Sequence, residues 1–185
     1  MICQYPFKGK YKETTPYGKA GSWACGWHTG IDLVGLESKD IYPIAAGEVI
    51  RVVKGDKSYG NYIRIQHDGY ISHYAHLSSI LVFAGDKVAL NTKIGVEGNT
   101  GNSSGSHLHL EVHKNAWKYP IGCTVQTATW LQDPDKFISE RLNTVSAWAK
   151  EAQAFVIEKG ISDGTRPQDN VTREELWVML QRVGD

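Results

Sequence analysis

The sequence predicts a mainly β, antiparallel body of sandwich or barrel-like form, followed by a small C-terminal α-helical hairpin. Three observations carry that prediction. Short runs rich in Val, Ile, Tyr and Phe alternate with Gly, Asp and Asn clusters through the first 130 residues. No useful stretch with a helical apolar period occurs before about residue 134. From Val145 onward the apolar spacing changes to three and four.

Length and composition fit this reading. The chain has 185 residues, 41% of them hydrophobic, enough for one medium domain and a small appendage. Twenty basic side chains balance twenty acidic ones, evenly on both sides of residue 140, so nothing advertises nucleic acid or an anionic membrane as a partner. The apolar runs are far shorter than a bilayer span, and the first ten residues hold no secretory-type apolar run. The expectation is a protein made and kept in the cytoplasm, or one whose signal has been removed. Cys3, Cys25 and Cys123 match no zinc-finger or disulfide framework; at most one disulfide is possible, and buried thiols are expected.

Taken in order, residues 5–26 are rich in Gly, Lys, Thr and aromatics and read as irregular structure with at most one short strand. Trp23 and Trp27 flank a Gly-rich turn, and Trp27-His-Thr-Gly-Ile-Asp-Leu-Val34 runs from it into a strand at about Ile31. Strands are then expected at 41–44, 48–53, 61–66, 70–76, 81–83, 86–88 and 94–96, with a turn at 54–59 and a hairpin turn at His67-Asp68-Gly69 that leaves His67 solvated. Residues 115–133 read as a loop near a cleft rim or a partly paired extension. The domain division is 1–138 for the body, 139–144 for a linker and 145–185 for the helical module.

Within the module, Val145, Trp148, Ala152, Phe155 and Val156 mark one helix ending near Gly160. Thr172 can cap a second, with Glu175 reaching back to its amide and Leu176, Met179, Leu180 and Val183 as the apolar face. So small a unit should lean on the β body, on a copy of itself or on a partner. Its balanced charge and its Trp and Phe residues argue against DNA.

The stretch from Gly98 to Glu111 organises the rest. Gly, Asn, Thr and Ser form a loop up to Ser106, and strict alternation follows. In a strand His107, His109, Glu111 and His113 share one face, while Leu108, Leu110 and Val112 share the other. A solvated edge would carry Lys, Thr or Ser; three imidazoles and a carboxylate suit a polar cavity, most readily a metal site. Hydrolytic zinc takes three protein ligands and leaves one position for water. The candidates are His28, Asp32, one or both of His107 and His109, and His76. His28 and Asp32 are four apart, but Gly30 and its β-branched neighbours argue for a loop entering a strand rather than a helix. Five candidates exceed three places, and amide hydrolysis has use for the surplus: groups that take up the water proton and steady the oxyanion.

These residues carry a resemblance. His28-Thr-Gly-Ile-Asp32, Tyr74-Ala-His76-Leu77 and Gly101-Asn-Ser-Ser-Gly-Ser-His107-Leu-His109-Leu-Glu111, in this order, resemble the lysostaphin-like zinc metallopeptidases that cut peptide bonds in bacterial peptidoglycan. Ile41-Tyr-Pro-Ile-Ala-Ala-Gly-Glu-Val49, Tyr59-Gly-Asn-Tyr62 and Ala84-Gly-Asp-Lys-Val88 extend the likeness, which runs from about Thr15 to Val112. The resemblance implies that His28, Asp32 and His109 hold Zn2+, and that His76 and His107 activate water and stabilise the tetrahedral intermediate. It also implies activity, since non-catalytic members of the family lack one or more of these five. Glu111 is a candidate for orienting an imidazole. Tyr17 and Tyr62 suit packing better than the oxyanion, and His67, His73 and His113 are expected to have no direct role.

The C-terminal module resembles one S-layer-homology-type motif, in Trp148-Ala-Lys-Glu-Ala152, Lys159-Gly-Ile-Ser-Asp-Gly-Thr-Arg-Pro167 and Val171-Thr-Arg-Glu-Glu-Leu176. In multiple copies such units grip cell-wall polysaccharide, so wall binding or homo-oligomerisation is implied. A peptidase body with a wall-associated appendage is similar to a phage endolysin; a bacterial autolysin would use the same chemistry. Two other classes fit parts of the pattern. One is a non-catalytic binding or activator module. The other is a sugar phosphotransferase carrier, which has little use for Asp32. Crossbridge choice is expected to rest with the loops at 18–27 and 115–130.

Overall fold

A computed structural model describes residues 3–142 of the chain. The expected hairpin at 145–185 lies outside them. The strands are β1 (Tyr11–Thr15), β2 (Ile31–Gly35), β3 (Asp40–Ile41), β4 (Gly47–Asp56), β5 (Gly60–Gln66), β6 (Tyr70–Ala75), β7 (Ser79–Ile80), β8 (Lys87–Val88), β9 (Gly95–Val96), β10 (Leu108–Lys114) and β11 (Leu131–Gln132), and one helix, α1 (Pro134–Leu142), follows. The helix begins where Asp133 caps it: its Oδ1 accepts the amides of Asp135 (3.0 Å) and Lys136 (3.3 Å), with Pro134 in the first-turn place that needs no amide proton. It carries Ser139–Leu142 into the stretch expected as linker.

All pairings are antiparallel. The main sheet runs β1-β2-β10-β6-β5-β4-β8, with β11 also on β10, and β3-β9-β7 form a second, small sheet. The expected antiparallel body is present, but the barrel is not closed: among the described residues β1 pairs only with β2 and the two-residue β8 only with β4. Closure would need those edges to find each other, and β8 is too short to extend the ladder.

Strand β10 lies between β2 and β6, which makes it the axis of the body Cys3–Ile138. Leu108, Leu110 and Val112 are fully buried on one face, together with Leu33, Ile63, Ile65 and Tyr74 of neighbouring strands and Ile41, Ile44, Leu77 and Ile94 from around the small sheet. The polar groups on this face are satisfied: the Tyr74 hydroxyl accepts the Ile44 amide (2.8 Å), and Ser72, opposite Val112, bonds His67 (2.7 Å). The other face of β10 is also buried, and it is polar: His109, Glu111 and His113 are 5, 0 and 0% exposed. The 115–133 excursion covers its far end, where Trp117 lies against His73 and His113 (ring centroids 6.2 and 5.8 Å). It is thus both cleft rim and, through β11, paired extension.

Two local expectations are corrected. The strand expected at 81–83 forms at Ser79–Ile80 instead, where Ser79 and Ile80 pair with β9, and Leu81 and Phe83 are left 50 and 78% exposed. His67, expected in solvent, is buried, stacked on Tyr70 (4.5 Å) and bonded through Nδ1 to the Ala46 carbonyl (2.8 Å) and through Nε2 to Ser72 Oγ (2.7 Å). Its pKa is pushed down to about 4 by burial. The hairpin turn folds back on the sheet, and polarity alone does not signal that.

Because Leu110 is at the centre of the apolar face, Leu110→Ala should cost about 2–5 kcal/mol of stability. Urea denaturation of the two proteins measures this, and a loss below 1 kcal/mol would mean the core is organised elsewhere.

Candidate metal centre

Register places the site. His109 on β10 stands directly opposite Asp32 on β2, so the two side chains share a face. His28 precedes β2, and Gly30 between them lets the chain cross β10: a Cβ there would collide with the Leu110 carbonyl. His28 Nε2, Asp32 Oδ1 and His109 Nδ1 form a triangle with all three edges 3.0 Å. These are three of the five residues picked from sequence, and among the described residues they are the group able to hold a metal.

Proton bookkeeping decides what the triangle is for. His28 Nδ1 lies 3.0 Å from the Pro16 carbonyl, which can only accept, so the ring proton is there and Nε2 offers a lone pair. His109 Nε2 lies 3.2 Å from Glu111 Oε1, which likewise leaves Nδ1 free to present a lone pair. Asp32 is an acceptor. Burial disfavours its charge, but the His109 and His28 imidazoles beside it outweigh that and hold its carboxyl well below the usual carboxylate range. Three lone pairs therefore meet with no proton among them unless one is added, an arrangement that needs a cation. A tetrahedral ion with ligands at 2.0–2.2 Å has ligand edges of about 3.3–3.6 Å, a few tenths of an ångström wider than those present.

Without an ion the cation is a proton. Burial lowers the His109 pKa, but hydrogen bonds to Asp32 and Glu111 reverse this and raise it to about 9. Glu111 is saturated: Oε1 accepts Thr29 Oγ1 (2.5 Å), Tyr59 OH (3.0 Å) and His109, and Oε2 accepts His113 Nε2 (2.7 Å). Burial opposes its charge, yet His109 and His113 hold it well below the ordinary glutamate value. Glu111 thus orients His109, and His113, expected to be idle, orients Glu111. His73 stands opposite Glu111 and takes the Arg64 Nε–H (3.0 Å).

His76 and His107 border the triangle, their rings 4.8 Å apart and His76 5.9 Å from His109. His76 follows β6 and would point away from His109 if the strand continued; its left-handed backbone (φ 63°) turns the ring back. Its Nδ1–H donates to the Thr100 carbonyl (2.8 Å), and burial first, then the charge of His109, pushes its pKa down to about 4. His107 Nδ1–H donates to Gly105 O (2.8 Å), and its Nε2 lies 3.6 Å from Asp32 Oδ1. Both rings therefore present Nε2, and both are oriented by carbonyls of the Gly98–Ser106 loop.

The site opens into a cleft of about 310 Å³ walled by Ser22–Cys25, Ser58–Tyr59, Asn102–Ser104 and Tyr119–Pro120. Both loops expected to shape it do so. Trp23, tilted over His28 (4.9 Å), was not singled out beyond its place in the turn. Cys25 lines the cleft, but its thiol donates to the Trp27 carbonyl (3.5 Å), burial raises its pKa, and it forms no disulfide. Tyr17 packs edge-on against Trp27 (5.5 Å), and Tyr62 OH accepts from Arg51 (3.3 Å), so both serve packing.

The chain resembles proteins of known kind. It is 40% identical over 86 residues to the peptidoglycan DD-endopeptidase ShyA of Vibrio cholerae (46% of this chain, 20% of that protein). It is 36% identical over 110 residues to the murein hydrolase activator NlpD of Escherichia coli (59 and 27%). It spans less than a third of the length of the curated relatives it matches. Among solved structures, the catalytic domain of the antimicrobial peptidase lysostaphin from Staphylococcus simulans superposes with a TM-score of 0.59 at 26% identity, covering 70% of this chain and 92% of that domain. Residues 26–120, just over half of the chain and all five site residues, match the profile of peptidase family M23, and the chain belongs to that family.

Proposed function

We propose that the chain is a zinc-dependent endopeptidase that hydrolyses peptide bonds in the stem peptides or crossbridges of bacterial peptidoglycan. The observation that carries this is the triangle of three lone pairs bordered by two imidazoles whose Nε2 atoms face it. His28, Asp32 and His109 are the ligands; a bound zinc ion supplies Lewis acidity, polarising the scissile carbonyl and acidifying water. His76, held neutral by burial, accepts the proton of the attacking water at Nε2. The proton that His76 takes up then passes from its Nε2 to the leaving amine, and His107, when its Nε2 carries a proton, steadies the developing oxyanion. Glu111 keeps His109 in its productive tautomer, and the cleft walls hold the peptide and exclude solvent.

The likeness to NlpD supports a second reading, a wall-bound activator with no hydrolysis of its own. Purified chain applied to isolated sacculi decides: clearing with no other hydrolase present supports the enzyme, and zinc-loaded protein that clears nothing supports the activator. Applied to a cell wall, this chemistry is that of a lysin, whether phage endolysin or bacterial autolysin. The 145–185 segment, on its S-layer-homology-like motif, would grip wall polysaccharide or pair with its own copies.

An ion must displace the His109 proton, which the ring keeps up to about pH 9. Zinc affinity should therefore rise about tenfold per pH unit between pH 6 and 8, with one proton released per ion. Competition against a chromophoric chelator at several pH values reads this, and a pH-independent affinity contradicts the ligand set. His76→Ala and His107→Ala should each retain one zinc per chain while hydrolysis falls about 100-fold or more; an emptied site in either would make that residue a ligand. Ending the chain at residue 142 should reduce binding to sacculi or the oligomer size; no change in either removes the role given to the C-terminal segment.

A further inference from the structure

The dipeptide Glu97-Gly98 adjoins the backbones of both His76 and His107, and the proposed chemistry gives it no task. Gly98 packs against the turn at residue 76: a Cβ there would strike the Ser78 backbone and come within 2.8 Å of the His76 carbonyl oxygen. Its own carbonyl accepts the His107 amide (3.0 Å). Glu97 is 3% exposed, and its carboxylate takes three donors from three places. These are the Gly35 amide at the end of β2 (2.7 Å), the Lys39 ammonium (2.7 Å) and the Ser106 hydroxyl (2.6 Å).

The third donor matters most. Strand β10 fixes the backbone beside His107, but the ring is oriented through Nδ1 by the Gly105 carbonyl (2.8 Å) and the Ser103 hydroxyl (3.3 Å), both inside a loop of mostly exposed Gly, Ser and Asn. A bond inside that loop cannot refer the ring to the triangle, because donor and acceptor move together. The Ser106–Glu97 bond ties the loop to Gly35 and Lys39, hence to the strand that carries Asp32.

We propose that Glu97 is a positioning residue for the His76–His107 pair, acting on His107 through the Ser106 hydroxyl. The catalytic part of this rests on the endopeptidase reading. Lost alignment of one reacting group by about 1 Å is enough to cost up to 100-fold in rate.

The test uses the full chain loaded with zinc. Ser106→Ala should lower kcat about 10–100-fold with KM within about twofold and one zinc still bound, and Ser106→Thr, which keeps the hydroxyl, should restore kcat. Glu97→Ala, which removes the acceptor for Ser106 together with those for Gly35 and Lys39, should lower kcat at least as far as Ser106→Ala, and adding Ser106→Ala to it should cost nothing more, because the hydroxyl's acceptor is already gone. Independently of turnover, the ¹⁵N imidazole resonances of His107 at fixed pH should report one tautomer in the wild type and an average of two in Ser106→Ala. An unchanged kcat with unchanged resonances overturns the proposal, as does zinc loss in step with rate. A wild type that cleaves nothing, but whose His107 resonances respond to Ser106→Ala, sinks the endopeptidase reading and leaves the latch standing.

Discussion

Three candidate ligand atoms 3.0 Å apart, each presenting a lone pair, are the constraint on which the rest depends. A buried carboxylate oxygen and two unprotonated imidazole nitrogens repel at that distance, so the arrangement persists only with a positive charge at its centre. Everything around it answers that requirement. The Pro16 carbonyl and Glu111 draw the two ring protons to the far sides, and the dense apolar packing beneath β10 keeps the strands from relaxing apart.

The scaffold divides the work by stiffness. The candidate ligands Asp32 and His109 sit on paired strands in direct register, where position is set by the ladder itself. The imidazoles proposed to handle protons sit at a strand end and at a loop's end, and each is oriented by one carbonyl of the Gly98–Ser106 loop. A loop so rich in Gly and Ser has little stiffness of its own. Its order comes from outside, through Glu97 on one side and through the Thr100 hydroxyl, which accepts the Asn61 amide and donates to the Leu77 carbonyl, on the other.

Glu111 shows how a charge can be kept in the middle of a sheet. Its carboxylate has four donors and no water-facing side, so the desolvation cost is met by hydrogen bonds rather than by exposure. It thereby makes His109 a better electron-pair donor, and the energetic link from Thr29, Tyr59 and His113 to the triangle runs through this one side chain.

Much of this was legible in the chain alone, and the reasons are specific. The period-two alternation from His107 to His113 identifies a strand with one apolar and one ligand-bearing face, because side-chain direction in a strand follows from backbone geometry. The five candidates that the structure brings together could likewise be picked from the chain, since chemistry restricts which side chains are able to bind zinc or shuttle protons. What the residues alone left open was the allotment of roles and the support behind them. His76 joins the site only through its positive φ, His113 through Glu111, and His67 is buried by a fold-back that its polar turn conceals. Glu97, one carboxylate among twenty acidic residues, gains its meaning from Gly35, Lys39 and Ser106, 62, 58 and 9 residues away. Periodicity and residue chemistry are local properties and travel with the sequence; tautomers, latches and an unclosed sheet edge depend on which distant segments meet, and only the tertiary structure decided those.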